Sequence, residues 1–127
     1  MITEDYVSFE TAKLLRENGF NEKTYASIKV FAGHNYKVNG EWITPEYDTI
    51  IPTLQMAMKW LREIYKLEVR STYDYDKDSW WGYINPMFEE ADENSDIYQK
   101  ALGFDYPGKT YEQACEAAIK YCLENLL

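Results

Sequence analysis

The chain has 127 residues, of which 46% are hydrophobic and 28% charged, so it has the size and composition of one folded domain rather than of a disordered tail or a fibre. No apolar run approaches the roughly 18 to 20 residues of a membrane-spanning helix, and the first residues lack the pattern of a secretory signal, so we expect a cytoplasmic protein without a membrane partner. The net charge is -9, with 13 Lys and Arg against 22 Asp and Glu. This acidity argues against binding to nucleic acid, whose phosphates require a basic surface.

The acidic excess is concentrated in residues 74–116, which hold 11 acidic and three basic residues. Residues 1–73 are almost neutral, with 10 acidic and nine basic residues. Any function that depends on negative charge is therefore expected in the second half of the chain.

The first predicted helix begins at Ser8, a residue type that caps helix N-termini, and ends near Asn18-Gly19, where glycine allows a left-handed backbone. The next segment, residues 25–32, alternates apolar and polar side chains as a strand does, and residues 33–35 offer a turn. A second strand is predicted from about Tyr36 to Ile43. As an alternative, Asn39-Gly40 forms a hairpin turn inside that segment.

The second predicted helix follows Thr53, and its apolar residues recur at helical spacing: Leu54, Ala57, Met58, Leu61, Ile64 and Tyr65. A second hairpin is predicted after it, from strands at residues 67–75 and 79–84 joined by a turn at Asp76-Lys77-Asp78. The acidic stretch from Glu89 to Asp96 is predicted to be a surface loop or a short helical turn, and residues 97–106 to add a short strand.

The third predicted helix runs from about Tyr111 to Asn125, and Thr110 with Gln113 forms a capping box at its start. The helix carries small residues along one side, which favour close packing against a sheet. It also carries the two cysteines, Cys115 and Cys122. Seven residues apart on a helix, these thiols are about 10 Å apart along the axis, too far for a disulfide, and we expect a reducing compartment.

These elements predict a single α+β domain spanning residues 1–127, in the order α-β-β-α-β-β-α, with the helices on one face of a mostly antiparallel sheet. The three helix starts resemble one another, as in a duplicated unit. Ordinary helix capping produces the same pattern, and we favour that interpretation.

Catalytic and metal-binding patterns are sparse. His34 is the single histidine and lies beside a turn glycine, so no zinc ligand set and no nucleophile-base pair is apparent. No catalytic residue and no cofactor is predicted. Asp74, Asp76 and Asp78 resemble the first ligands of an EF-hand loop, but Ser79 and Asn85 stand where that loop needs glycine and glutamate, so a solvated hairpin turn is favoured over a calcium site.

Aromatic residues are dense, with 12 Tyr and four Trp in the chain. Adjacent Trp80 and Trp81 must point to opposite faces of a strand, so one is expected under the helices and the other on the open face. Exposed Trp and Tyr favour protein contacts. The predicted interaction surface consists of Tyr73, Tyr75, Trp80, Trp81 and Tyr83.

The sequence of residues 4–15 (EDYVSFETAKLL), 52–63 (PTLQMAMKWLRE) and 111–124 (YEQACEAAIKYCLE) resembles a group of small acidic proteins of phages and prophage regions of gut bacteria. The similarity extends over most of the chain but is weaker at residues 21–50 and 86–107. It implies a phage or prophage origin. It implies no activity and no site residues.

Three functional hypotheses follow. The first is a non-enzymatic accessory protein that binds another protein through the open sheet face and its aromatic residues, or forms a homodimer through that face. The second is an acidic mimic of nucleic acid that inhibits a host enzyme, with carboxylates between Asp74 and Asp96 in place of phosphates. The third is a metal binder or enzyme centred on Asp74, Asp76 and Asp78.

Overall fold

The structure is a computed structural model and describes residues 4–22, 27–87, 96–102 and 106–127. It contains helices and antiparallel strands, which confirms the predicted α+β class and the order of the predicted elements. Its elements, in chain order, are α1 (Phe9–Glu17), β1 (Ser27–Val30), β2 (Tyr36–Val38), β3 (Glu41–Ile43), β4 (Thr49–Pro52), α2 (Leu54–Tyr65), β5 (Leu67–Asp74), β6 (Ser79–Pro86), α3 (Asp96–Leu102), β7 (Tyr106–Gly108) and α4 (Tyr111–Asn125).

The chain divides into two compact units, Met1–Ala57 and Met58–Leu127. In the described part of the chain the strands form three antiparallel sheets rather than one: β1 with β4, β2 with β3, and β5-β6-β7. No helix in the described ranges has both the length and the apolar character that crossing a bilayer requires.

The first unit begins with α1, whose N-terminus is capped as predicted. The Ser8 hydroxyl accepts a hydrogen bond from the Thr11 backbone N–H at 3.1 Å, and Ala12 and Leu15 are buried. Of the strand predicted at residues 25–32, residues 27–30 form β1, which pairs with β4 rather than with β2. Residues 25 and 26 lie outside the described residues.

The choice left open at residues 36–43 is decided in favour of the hairpin. Strands β2 and β3 pair around Asn39-Gly40, whose φ angles are 51° and 83°. Positive φ at both central residues is the geometry of a type I′ turn, for which Asn-Gly is the preferred sequence. The Asn39 side chain also holds Tyr6, since its Oδ1 accepts from the Tyr6 N–H at 2.9 Å and its Nδ2 donates to the Tyr6 carbonyl at 2.6 Å.

The second unit is built on the predicted second hairpin, with β5 and β6 in register from Leu67 opposite Pro86 to Asp74 opposite Ser79. Helix α4 crosses this sheet very closely. A Cβ atom placed on Gly82 would lie 2.6 Å from the Ala114 carbonyl oxygen, and one placed on Gly108 would lie 2.8 Å from the Ala114 nitrogen. The prediction that small residues let this helix pack close to a sheet is confirmed.

The segment before α4 differs from its prediction. Residues 96–102 form helix α3, not a strand, with Asp96 in the first turn and Lys100 in the last, where each charge complements the helix dipole. Strand β7 spans Tyr106–Gly108, and residues 103–105 of the predicted strand lie outside the described residues. The predicted acidic loop lies, at residues 89–95, outside the described residues.

Candidate functional site

The β5–β6 hairpin presents two different faces because successive side chains of a strand alternate. The pairing register places Val69, Ser71 and Tyr73 on the same side as Gly82, the residue that touches α4. We call this side the helix side. The opposite side, the open face, carries the residues between them: Glu68, Arg70, Thr72 and Asp74 of β5, and Trp81, Tyr83 and Asn85 of β6.

Trp80 lies on the helix side. Its ring packs edge-on against Tyr111 of α4, with centroids 5.5 Å apart and planes at 85°, and against Tyr73 at 5.3 Å. The expectation that one tryptophan of the pair packs under a helix is therefore met by Trp80. Its role is to join the hairpin to the first turn of α4.

Trp81 lies on the open face and is held by two contacts from its own hairpin. Its indole Nε1 donates a hydrogen bond to Asp74 Oδ2 at 3.1 Å. The ammonium nitrogen of Lys77 lies 4.9 Å from the centre of its ring, a cation–π distance. The side chain is half-buried, so its position is fixed while part of its ring stays accessible.

A shallow groove of about 360 Å³ surrounds this tryptophan, and we call it the Trp81 groove. Two tyrosines supply much of its exposed aromatic surface, since Tyr75 is 87% exposed and Tyr83 42% exposed. Such a surface suits an amphipathic side chain that brings both a charge and a hydrocarbon stem. The groove is lined by Thr72, Tyr73, Asp74, Tyr75, Lys77, Trp81 and Tyr83.

Two aspartates of the predicted EF-hand-like loop, Asp74 and Asp78, accept hydrogen bonds from other residues of the hairpin. Asp74 Oδ1 accepts hydrogen bonds from the backbone N–H of Asp76 at 3.0 Å and of Lys77 at 3.3 Å, which orders the turn. Asp78 accepts a hydrogen bond from the Tyr73 hydroxyl. This bond to a carboxylate favours the neutral phenol and raises the pKa of Tyr73 above its ordinary value. Among the residues that the structure describes, no group of three His, Cys, Asp or Glu side chains is placed to hold a metal ion.

The five residues of the predicted interaction surface do not share one face. Tyr73 and Trp80 stand on the helix side, Trp81 and Tyr83 on the open face, and Tyr75 in the turn beyond β5. Tyr73 is nevertheless 44% exposed and borders the groove.

Sequence reasoning missed two features that bear on binding. Lys77 is predicted from the sequence only as a turn residue, whereas in the structure its ammonium nitrogen lies over the Trp81 ring, 4.9 Å from its centre. Trp42 of β3 is 71% exposed and forms a second aromatic surface, in the first unit. The sequence did not predict that Trp42 is exposed, because it left open whether residues 36–43 form one strand or a hairpin.

The two cysteines are free and buried on α4. Burial disfavours the thiolate and raises the pKa of Cys115 to about 11 and that of Cys122 to about 12. Both thiols are therefore poor nucleophiles at neutral pH, as expected for small apolar residues of a helix stripe. His34 lies in the turn after β1, where its backbone N–H donates to the Phe31 carbonyl at 3.4 Å.

A smaller cleft of about 240 Å³ lies in the first unit, between the end of α1 and strands β1 and β4. Its cations are Arg16 and Lys29. The Arg16 guanidinium already lies 4.6 Å from the centre of the Tyr47 ring and donates to the Asp48 carbonyl at 3.2 Å. Through these contacts Arg16 joins the last turn of α1 to the segment before β4.

Comparison with known proteins adds no family or structural relative. No family model, no curated protein and no solved structure matches this chain. The similarity to phage and prophage proteins therefore stays a prediction.

Proposed function

We propose that this protein acts by binding another protein rather than by catalysis, and that a Lys or Arg side chain of the partner docks in the Trp81 groove. The accessory role in a phage or prophage, implied by the sequence similarity, and a cytoplasmic location are part of this proposal. The groove combines accessible aromatic rings with the carboxylate of Asp74, and that combination recognises a cation carried on a hydrocarbon stem.

The observation that carries the proposal is the contact between Lys77 and Trp81. The chain's own ammonium group occupies the face of the indole at 4.9 Å. A cation of a partner can replace the Lys77 ammonium group, because this group stands at the end of a flexible side chain. Such a cation can also stack on the neighbouring ring of Tyr83. The cation–π attraction is worth about 0.5 to 2 kcal/mol, depending on desolvation.

Charge supports a basic partner. The net charge of the chain is -9, and residues 74–116 account for most of it. An acidic surface attracts a basic partner at long range and speeds its association at low salt. The nucleic-acid mimic of the second hypothesis is the alternative, and the acidic residues that it invokes at residues 89–95 lie outside the described residues.

The test is a comparative capture experiment with three immobilised proteins, wild type, Trp81→Ala and Trp42→Ala, incubated with host lysate at low and high salt. Trp42→Ala is the matched control, because it removes an exposed tryptophan from a different surface. A protein retained by wild type is then purified, and its affinity for all three is measured by calorimetry.

The proposal expects a partner that Trp42→Ala binds like wild type and that Trp81→Ala binds at least about tenfold more weakly. Part of the affinity persists at high salt, because aromatic contacts are not screened. Equal loss in both variants, or loss only in Trp42→Ala, would contradict the assignment to the Trp81 groove. Binding that survives Trp81→Ala but disappears at high salt would favour the nucleic-acid mimic instead.

A further inference from the structure

Strand β5 is an edge of the three-stranded sheet, since the strand order is β5-β6-β7. The Met87 N–H donates to the Lys66 carbonyl at 2.7 Å, which fixes the alternation of hydrogen-bonded pairs along the hairpin. The even-numbered residues of β5 therefore bond to β6. The odd-numbered residues Val69, Ser71 and Tyr73 direct their backbone N–H and C=O groups away from it.

These outward groups have no hydrogen-bond partner among the described residues. Val69 is only 5% exposed, so the accessible part of the edge is at Ser71 and Tyr73. Strand β5 is eight residues long and contains no proline. A long edge strand with free backbone groups is a template for another strand, and proteins usually protect such edges with proline, bulges, very short strands or charged side chains. β5 lacks the first three protections but carries Glu68, Arg70 and Asp74, so these charges decide which strand can pair with it.

We propose that the β5 edge pairs with β5 of a second copy of this chain, antiparallel and in the register that places Thr72 opposite Thr72. The β5 edge shares Thr72, Tyr73 and Asp74 with the lining of the Trp81 groove, whereas Arg70 is not part of that lining, so a change at Arg70 tests the dimer separately. In this register Ser71 of each copy forms a hydrogen-bonded pair with Tyr73 of the other, and each such pair supplies two backbone hydrogen bonds. The three-stranded sheet becomes a continuous six-stranded sheet across the dimer.

Charge complementarity selects the second copy and this register. Arg70 stands opposite Asp74 of the other copy, and the twofold axis repeats the pair. The Arg70 side chain is 61% exposed, and its ion pair within the described residues is with Glu68 at 3.3 Å, so it is available to a new partner. A register centred on Ser71 would oppose Glu68 with Asp74, and one centred on Arg70 would oppose two arginines. Like charges directly opposite each other destabilise a strand pair.

The test uses one engineered thiol. Thr72→Cys places a cysteine at the twofold axis, at a pair whose Cα atoms approach to about 4.5 Å in antiparallel sheets, within the range for a disulfide. The matched control is Asn85→Cys, exposed on the same face but on the central strand. The native cysteines are buried and do not compete in mild oxidation.

The proposal expects Thr72→Cys to form a covalent dimer under mild oxidation at least about tenfold faster than Asn85→Cys. Exchange of the Ser71 and Tyr73 amides should slow as protein concentration rises. Arg70→Asp should weaken the dimer of the otherwise native chain about tenfold in sedimentation, because it turns two attractive pairs into two repulsive ones. A chain that stays monomeric at all concentrations, with equal crosslinking of both cysteine variants, would overturn the proposal.

Discussion

The close approach of α4 to the sheet makes a sharp prediction about Gly82. Replacing this glycine by alanine adds one methyl group, and its carbon would lie 2.6 Å from the Ala114 carbonyl oxygen and 3.2 Å from the Ala118 Cβ. The first of these atoms belongs to the helix backbone, so a change of side-chain rotamer does not relieve the contact. The helix must move away from the sheet.

The two contributions to the free energy of unfolding have opposite signs. An alanine in a strand without crowding is more stable than glycine by roughly 0.5 to 1 kcal/mol, because glycine loses more conformational entropy on folding. Overpacking of a well-packed core costs about 1 to 3 kcal/mol. We expect the second effect to dominate, so Gly82→Ala should be destabilised by about 1 to 2 kcal/mol.

Urea denaturation followed by circular dichroism measures this difference. The matched control is Ser71→Ala, which changes the residue directly opposite Gly82 on the same side of the sheet. The Ser71 hydroxyl is buried and has no hydrogen-bond partner in the described part of the chain, so its removal should leave stability unchanged or raise it by up to about 1 kcal/mol. A Gly82→Ala variant as stable as wild type would refute the close packing of α4 on β6.

Three further predictions concern the hairpin and the helix beside it. In urea denaturation, Trp80→Ala should lower the free energy of unfolding by about 2 to 3 kcal/mol, because the side chain loses its packing on α4. Trp81→Ala should lower it by about 1 kcal/mol, because this side chain loses mainly one hydrogen bond. Equal losses would contradict the assignment of the two tryptophans to opposite faces. Cys115 and Cys122 should not react with a thiol reagent in the native protein at neutral pH and should both react in denaturant, and a fast-reacting native thiol would contradict their burial. Folding raises the pKa of Tyr73, so in the native protein its hydroxyl should lose the proton above the ordinary pKa near 10. The stabilisation from the neutral Tyr73 hydroxyl is therefore present below pH about 10 and is lost as the pH rises through the raised pKa. Tyr73→Phe should remove that part of the pH dependence, and unfolding curves for both proteins at pH about 8 and about 11 measure it.

Sequence patterns predicted the elements whose periodicity is long and regular. The helical spacing around Leu61 predicted α2, and the period-two alternation at residues 67–75 predicted β5. Helix caps were equally readable, since Ser8 and Thr110 each accept a hydrogen bond from the backbone three residues later, as the capping pattern requires.

Short elements and strand partners were harder to predict. Strands β2 and β3 have three residues each, too few to establish a period, so the Asn39-Gly40 turn remained one of two choices. The pairing of β1 with β4 depends on contacts between residues about 20 positions apart, which no local pattern records. Helix α3 was missed because seven residues give only two turns of helix.

The candidate site was predicted in part. Alternation alone placed Trp80 and Trp81 on opposite sides, but it did not say which one faces the helix. That assignment depends on Gly82, whose missing side chain admits α4 on the Trp80 side. The cation–π contact between Lys77 and Trp81 follows from the geometry of the turn, and their sequence separation alone does not predict it.

The most direct test of the central claim follows the indole N–H signals of the tryptophans by nuclear magnetic resonance during titration with a short extended peptide rich in Lys and Arg. A peptide of the same length with Gln at the basic positions is the control. We predict that the basic peptide shifts the signal of Trp81, whose N–H is bonded to Asp74, and leaves that of the exposed Trp42 unchanged. A shift confined to Trp42, equal shifts with both peptides, or no shift of Trp81 would contradict the claim that the Trp81 groove binds basic side chains.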